Sequence, residues 1–224
     1  MFKTRSRRML LIALLILLSA FAVIKPVKAD DKAALNEAVQ HIQNKWEAIK
    51  FDVPEGNIQT NLMNVVGLEA DKLAERFPDA PEALIWDGVL TSERASMASA
   101  FSALSLANRA RDILEKADRL DSNTLDAGAP TSLGVLYYRV PSFPIGFGDK
   151  EKARKLLEKA TRLAPKGLDA WYFYGDFLFS QGEYAKAKDA FNHALAIPVR
   201  TDRPLWDHNR RLVIAELLQK MQDK

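Results

Sequence analysis

The chain contains no cysteine, which excludes a disulfide framework, a thiolate metal site and an acylated lipoprotein cysteine. Histidine is almost as scarce: His41, His193 and His208 are scattered, and none has a carboxylate or second histidine at a spacing that selects a metal. Asp207 and His208 are neighbours and so point to different sides of a helix. No His-Glu-x-x-His, Gly-x-Ser-x-Gly, Ser-x-x-Lys or Walker-type loop occurs. Paired carboxylates such as Asp30-Asp31 and Asp118 with Asp121 fall at helix ends, where they cap or stay solvated. The sequence therefore predicts no catalytic residue, no enzyme activity, no metal and no cofactor.

Acidic residues are missing from the first 29 positions, which hold Lys3, Arg5, Arg7, Arg8, Lys25 and Lys28. Without that segment the count is 26 basic against 29 acidic residues, so the formal charge changes from +3 to −3. The basic stretch precedes the uncharged run Met9 to Ile24, then Pro26 and the small-residue site Val27-Lys28-Ala29. This order reads as a secretory signal peptide over 1–29 with cleavage after Ala29, and hence a periplasmic or secreted protein. The apolar run has 16 residues, short of the roughly 20 that span a bilayer. Membrane attachment is expected only if the segment stays uncleaved, and nucleic acid is not expected as a partner of an exported protein. The chain is 48% apolar, which argues against disorder. No long polar linker divides residues 30–224, so they read as one domain.

Sustained β-branched alternation is also lacking past Asp30, while apolar residues recur at three- and four-residue spacings. The expected class is all-α, with about nine helices near 33–50, 58–77, 81–96, 98–120, 124–138, 149–163, 167–181, 183–197 and 204–222. Breakers separate them at Pro54-Glu55-Gly56, Pro78-Asp79-Ala80-Pro81, Asp121-Ser122-Asn123, Pro165-Lys166-Gly167, Gly182 and Pro198 with Pro204. Short linkers favour antiparallel neighbours.

One unit repeats. Trp171-x-x-Tyr174-Gly175-x-x-Leu178, Gly182, Ala187-x-x-x-Phe191, Ala194 and Pro198 follow Leu133-Gly134-x-x-Tyr137, Ala153-x-x-x-Leu157, Ala160 and Pro165. Ala153 to Ala187 and Ala160 to Ala194 are both 34 residues apart. The pattern resembles the tetratricopeptide repeat, most clearly over 124–165 and 168–198. The resemblance implies an α-solenoid of stacked antiparallel helix hairpins. Ala110, Leu114 and Ala117 reproduce the second-helix pattern earlier in the chain, but Gly88 sets Asp87 where an apolar residue is expected. Helix 204–222, with Leu205, Leu212, Val213, Leu217 and Met221 on one side, reads as a solubilising cap.

Gly134 to Ala153 spans 19 residues where Gly175 to Ala187 spans 12, so seven are inserted. They lie in a loop that Pro141 and Pro144 stiffen, Gly146 and Gly148 bend, and Phe143 and Phe147 make apolar. Such a loop can close over a groove or plug the edge of the core. The stretch Pro144 to Ala160, with Gly146, Gly148-Asp149, Lys152-Ala153 and Glu158-Lys159-Ala160, is also similar to the T component associated with tripartite ATP-independent periplasmic transporters. That resemblance implies helices around a hydrophobic ligand channel and association with a solute receptor. The lipid anchor typical of that family does not carry over, because there is no cysteine to acylate.

First helices of such repeats line the concave surface. The three-and-four spacing sets Tyr172, Asp176 and Phe179 on one face, away from Trp171, Tyr174, Gly175 and Leu178, and register with Gly134 adds Thr131, Val135 and Tyr138. The candidate binding residues are thus Tyr138, Phe143, Phe147, Tyr172, Asp176 and Phe179, an aromatic surface with one acidic group. A protein or peptide partner is the first expectation and a small hydrophobic solute the second. Lys150 to Lys166 holds seven basic and two acidic residues, expected as a solvated face with Glu151–Lys155 and Glu158–Arg162 pairs.

Overall fold

The nine expected helices all form, because their apolar spacing and their breakers agree on the same segments. In the computed structural model, which describes residues 29–222, they are α1 (Ala29–Asp52), α2 (Asn57–Arg76), α3 (Pro81–Met97), α4 (Ala100–Leu120), α5 (Thr124–Arg139), α6 (Lys150–Leu163), α7 (Leu168–Ser180), α8 (Tyr184–Ala196) and α9 (Pro204–Lys220). The proposed leader 1–29 lies outside the described residues except for Ala29. Proline at the first position starts α3 and α9, where its missing N–H costs nothing. The Asp149 side chain caps α6 by accepting from the Lys152 amide at 2.9 Å.

Hairpins α3/α4, α5/α6 and α7/α8 are the most intimate pairs, and one contact recurs in each. A Cβ added at Gly88 would sit 2.5 Å from Leu114, at Gly134 2.6 Å from Leu157, and at Gly175 2.6 Å from Phe191. The bulky partner is flanked at −4 and +3 by fully buried alanines: Ala110 and Ala117, Ala153 and Ala160, Ala187 and Ala194. Small residues let the two backbones approach, and the one large side chain fills the seam at interior packing density. Burying each of Leu114, Leu157 and Phe191 contributes roughly 1.5–3 kcal/mol. Gly88 therefore aligns with the later repeats, and Asp87 beside it is buried with polar partners.

Two elements depart from expectation. In α5 the residues Leu125, Asp126 and Ala127 have φ of 52°, 54° and 59°, so the right-handed part begins at Gly128, two residues before Pro130. In α9 the buried residues are Trp206, Asp207 and Ile214, while Leu212 is exposed. Asp207 is held there by Arg211 at 2.6 Å and by the Arg200 amide at 3.1 Å.

Helices α1, α3, α5 and α7 neighbour one another as an inner layer, with α2, α4, α6 and α8 outside. The ion pairs of α6 run to adjacent elements: Lys152 to Glu115, Lys159 to Asp118, Arg154 to Glu183. Helix α9 packs on α8 and α7 and also touches α1. Arg203 meets Glu47 at 2.6 Å across 156 positions of chain, so the two ends of the inner layer close on each other.

Candidate binding cavity

That closure borders a partly open cavity of about 1350 Å³, walled by the inner faces of α1, α3, α5, α7 and α9, by the start of α4 and by loop 140–149. On α7 the seam with α8 takes Gly175 and Leu178, which turns Leu168, Asp169, Tyr172 and Phe173 to the cavity. Arg210 of α9 lies over the Tyr172 and Phe173 rings at 4.1 and 5.0 Å, a cation–π arrangement. Trp46, Trp86 and Trp206 form the apolar corner between α1, α3 and α9, with Trp46 and Trp86 edge to face at 5.6 Å.

The polar groups of the wall divide sharply. Each carboxylate has an ion-pair partner: Glu93 with Lys50 at 3.0 Å, Asp126 with Arg200 at 2.9 Å, and Asp169 with Arg210 at 2.7 Å, the last a close charge contact without hydrogen-bond alignment. In contrast the indole nitrogens of Trp46, Trp86 and Trp206 and the Thr131 hydroxyl are buried with no hydrogen-bond partner among the described residues. A buried donor left unpaired costs about 1–3 kcal/mol. These atoms are shut off from the cavity as well as from solvent, so they are left unpaired within the packing, and what the wall offers a ligand is mainly aromatic and apolar surface.

The predicted site residues separate into three groups. Tyr172 lines the cavity. Tyr138 and Asp176 come together beside it: the Tyr138 hydroxyl donates to Asp176, which also accepts from Arg139 at 2.8 Å. Burial pushes the Tyr138 phenol far up from its ordinary value, so it stays a donor. Phe179 packs on Tyr184 at 5.6 Å, outside the wall. Phe147 plugs the loop edge-on against Tyr137 at 5.4 Å, with Arg111 over its ring at 4.6 Å, whereas Phe143 is 89% exposed. Thr131 and Val135 line the cavity as their register predicts. Phe173, the three tryptophans and Arg210 escaped the repeat pattern; the one sequence signal for the α9 pair is the four-residue step from Trp206 to Arg210.

Behind the inner layer lies a second polar cluster. Thr91 donates to Asp87 at 3.2 Å, Arg109 stands 3.6 Å away, and Asp71 is held by Arg109 at 3.0 Å and Arg94 at 3.2 Å. Burial first, and Asp71 second, push the Asp87 carboxyl up to about 6.

Residues 145–198 match the family model of the tetratricopeptide repeat. No match was found among curated proteins. Among solved structures, a thermophilic tetratricopeptide repeat protein of Thermus thermophilus is 17% identical, aligns over 86% of this chain and 92% of its own, and gives a TM-score of 0.54. MamA (20% identity, 73% of this chain, 88% of that one, TM-score 0.43) and yeast Tom70 (15%, 86% and 35%, TM-score 0.47) are also similar. The chain thus has the tetratricopeptide fold, a class of stacked helix hairpins suited to protein binding. Residues 145–198 are tetratricopeptide repeat sequence, and the glycine seams extend the same hairpin design back to α3.

Proposed function

We propose that the chain is an exported, non-catalytic scaffold that docks a partner protein on the rim formed by loop 140–149 and the start of α4. The carrying observation is the exposure of that rim: Phe101 is 96%, Phe143 89% and Ile145 70% exposed. The loop and α4 belong to one edge, since a Cβ at Gly146 would lie 3.3 Å from Leu104, one turn beyond Phe101. Large apolar side chains left together in solvent mark a protein contact, and loops presented by a rigid scaffold are a common recognition device. The basic and apolar order of residues 1–29 supports export. The sequence carries no His-Glu-x-x-His, Gly-x-Ser-x-Gly, Ser-x-x-Lys or Walker-type motif, and its three histidines are scattered, which supports a binding role.

Affinity capture from the exported fraction of the source cell tests the reading. Phe143→Ser with Ile145→Ser is expected to lose the proteins that wild type retains, with helical circular dichroism unchanged. Leu212→Ser, a change at an exposed apolar position of α9 away from the rim, is expected to keep them. Equal retention by the rim variant overturns the assignment.

The partly open cavity favours a second reading, an apolar solute bound within it. Its lining of Tyr172, Phe173, Val135 and the tryptophan rings supports a solute with an apolar body. Native mass spectrometry of the gently purified chain would show such a passenger as a discrete added mass, and a mass equal to the polypeptide alone counts against it.

A further inference from the structure

The first hairpin differs from the later ones on its outward side. Helix α2 buries Met63, Val66, Ala70 and Leu73 toward the core, yet its other face exposes Ile58 by 72%, Leu62 by 40%, Val65 by 55% and Leu68 by 52%. The steps of four, three and three residues keep these on one stripe. No charged residue occurs between Glu55 and Glu69. The outward faces of α6 and α8 carry charges instead, Glu151 and Lys155 on one, Lys186 and Asp189 on the other. The end hairpin of a solenoid ordinarily has a polar outer face, so this stripe calls for cover.

Its ends identify the cover. Glu55 stands in the turn that leads into α2, and Lys72 follows Leu68 by four residues on the helix; both are exposed, and neither is ion-paired among the described residues. An antiparallel two-fold pairing of α2 with another α2 sets Ile58 against Leu68 and Leu62 against Val65, and brings the turn that carries Glu55 to the end of the partner helix that carries Lys72, each contact occurring twice. The face is complementary to itself in shape class and in charge, which is the requirement of an isologous interface. We propose that the chain self-associates through α2, the occupant of this stripe being a second copy. A single helix pair buries less than the roughly 1,600 Å² of a standard interface, so the dimer is reversible and concentration-dependent. The stripe lies on the outer layer, away from the cavity and the rim, so the dimer presents two partner sites at once.

Sedimentation velocity of the full-length chain across micromolar to millimolar concentrations tests this. Wild type is expected to pass from monomer to dimer, and Val65→Glu to raise the dissociation constant at least about tenfold, because it sets two carboxylates into an apolar seam. Glu55→Lys is expected to weaken association about fivefold through two like-charge contacts with Lys72, and Glu55→Lys with Lys72→Glu to restore it. All three variants change exposed side chains, and circular dichroism checks their folding. A monomer at every concentration, a dimer indifferent to Val65→Glu, or a charge reversal that fails to restore association overturns the proposal.

Discussion

Asp87 shows how one buried side chain makes stability depend on pH. It sits between α3 and α4 among Thr91, Arg109 and Asp71, and its carboxyl titrates near about 6, above the ordinary 3.8. Between those values the folded chain holds a proton that the unfolded chain has released. The stabilisation from this group is therefore complete below 3.8 and is lost as pH rises through about 6. Asp87→Asn keeps the site uncharged at every pH. Its stability relative to wild type is expected to rise between pH 4 and 6.5, at most about 1.4 kcal/mol per pH unit for one proton, and then level off. Urea unfolding of both proteins at four pH values reads this directly, and a flat or falling difference rules it out. The same residue marks a limit of sequence reading. An aspartate in an apolar register position looks like a misalignment, and only the arginines arriving from other turns make it tolerable there.

At the scale of the element, the helices were legible because periodicity, proline and glycine agreed at each boundary. The direction in which a helix faces was less so. In α7 the glycine seam left two neighbouring rings, Tyr172 and Phe173, on the cavity, while Asp176 and Phe179 followed the helix around to other partners. The seven-residue insertion was visible as a length difference, yet its two phenylalanines took opposite fates: Phe147 plugs the core edge, as Tyr137 and Arg111 are near enough to hold it, and Phe143 remains in solvent. The loop owes its path to Gly148, where an added Cβ would fall 1.9 Å from the Val140 carbonyl oxygen. That neighbour is backbone and cannot rotate aside, so Gly148→Ala must displace the loop. The expected cost is about 1–3 kcal/mol, with weakened partner capture through the displaced Phe143 and Ile145. Thermal unfolding and the capture assay measure the two effects, and an unchanged melting temperature would show that the loop is slack.

For the whole molecule the decisive contact joins the two ends of the inner layer. An open solenoid would offer a groove; the approach of α9 to α1 converts it to a cavity, and no local pattern in the chain announces a meeting across 156 positions. Repeat spacing carries information about neighbours in a stack, whereas closure depends on how much each hairpin turns relative to the last, summed over the stack. Glu47 and Arg203 sit at that meeting, the glutamate 7% and the arginine 13% exposed in their side chains, and Arg203 also lies over the Trp206 ring at 4.3 Å. Removing one partner of such a pair leaves an uncompensated buried charge, so Arg203→Ala is expected to cost about 3 kcal/mol. Replacing both with apolar residues of similar size, Glu47→Leu with Arg203→Met, removes the charge and the need for its partner together, and the expected cost is far smaller. If the closure itself shapes the cavity, the double variant keeps any co-purified passenger in native mass spectrometry while Arg203→Ala releases it. Equal destabilisation by the single and the double variant would mean that α9 is held to α1 by that ion pair and not by the packing of Trp46, Trp86 and Trp206 around it.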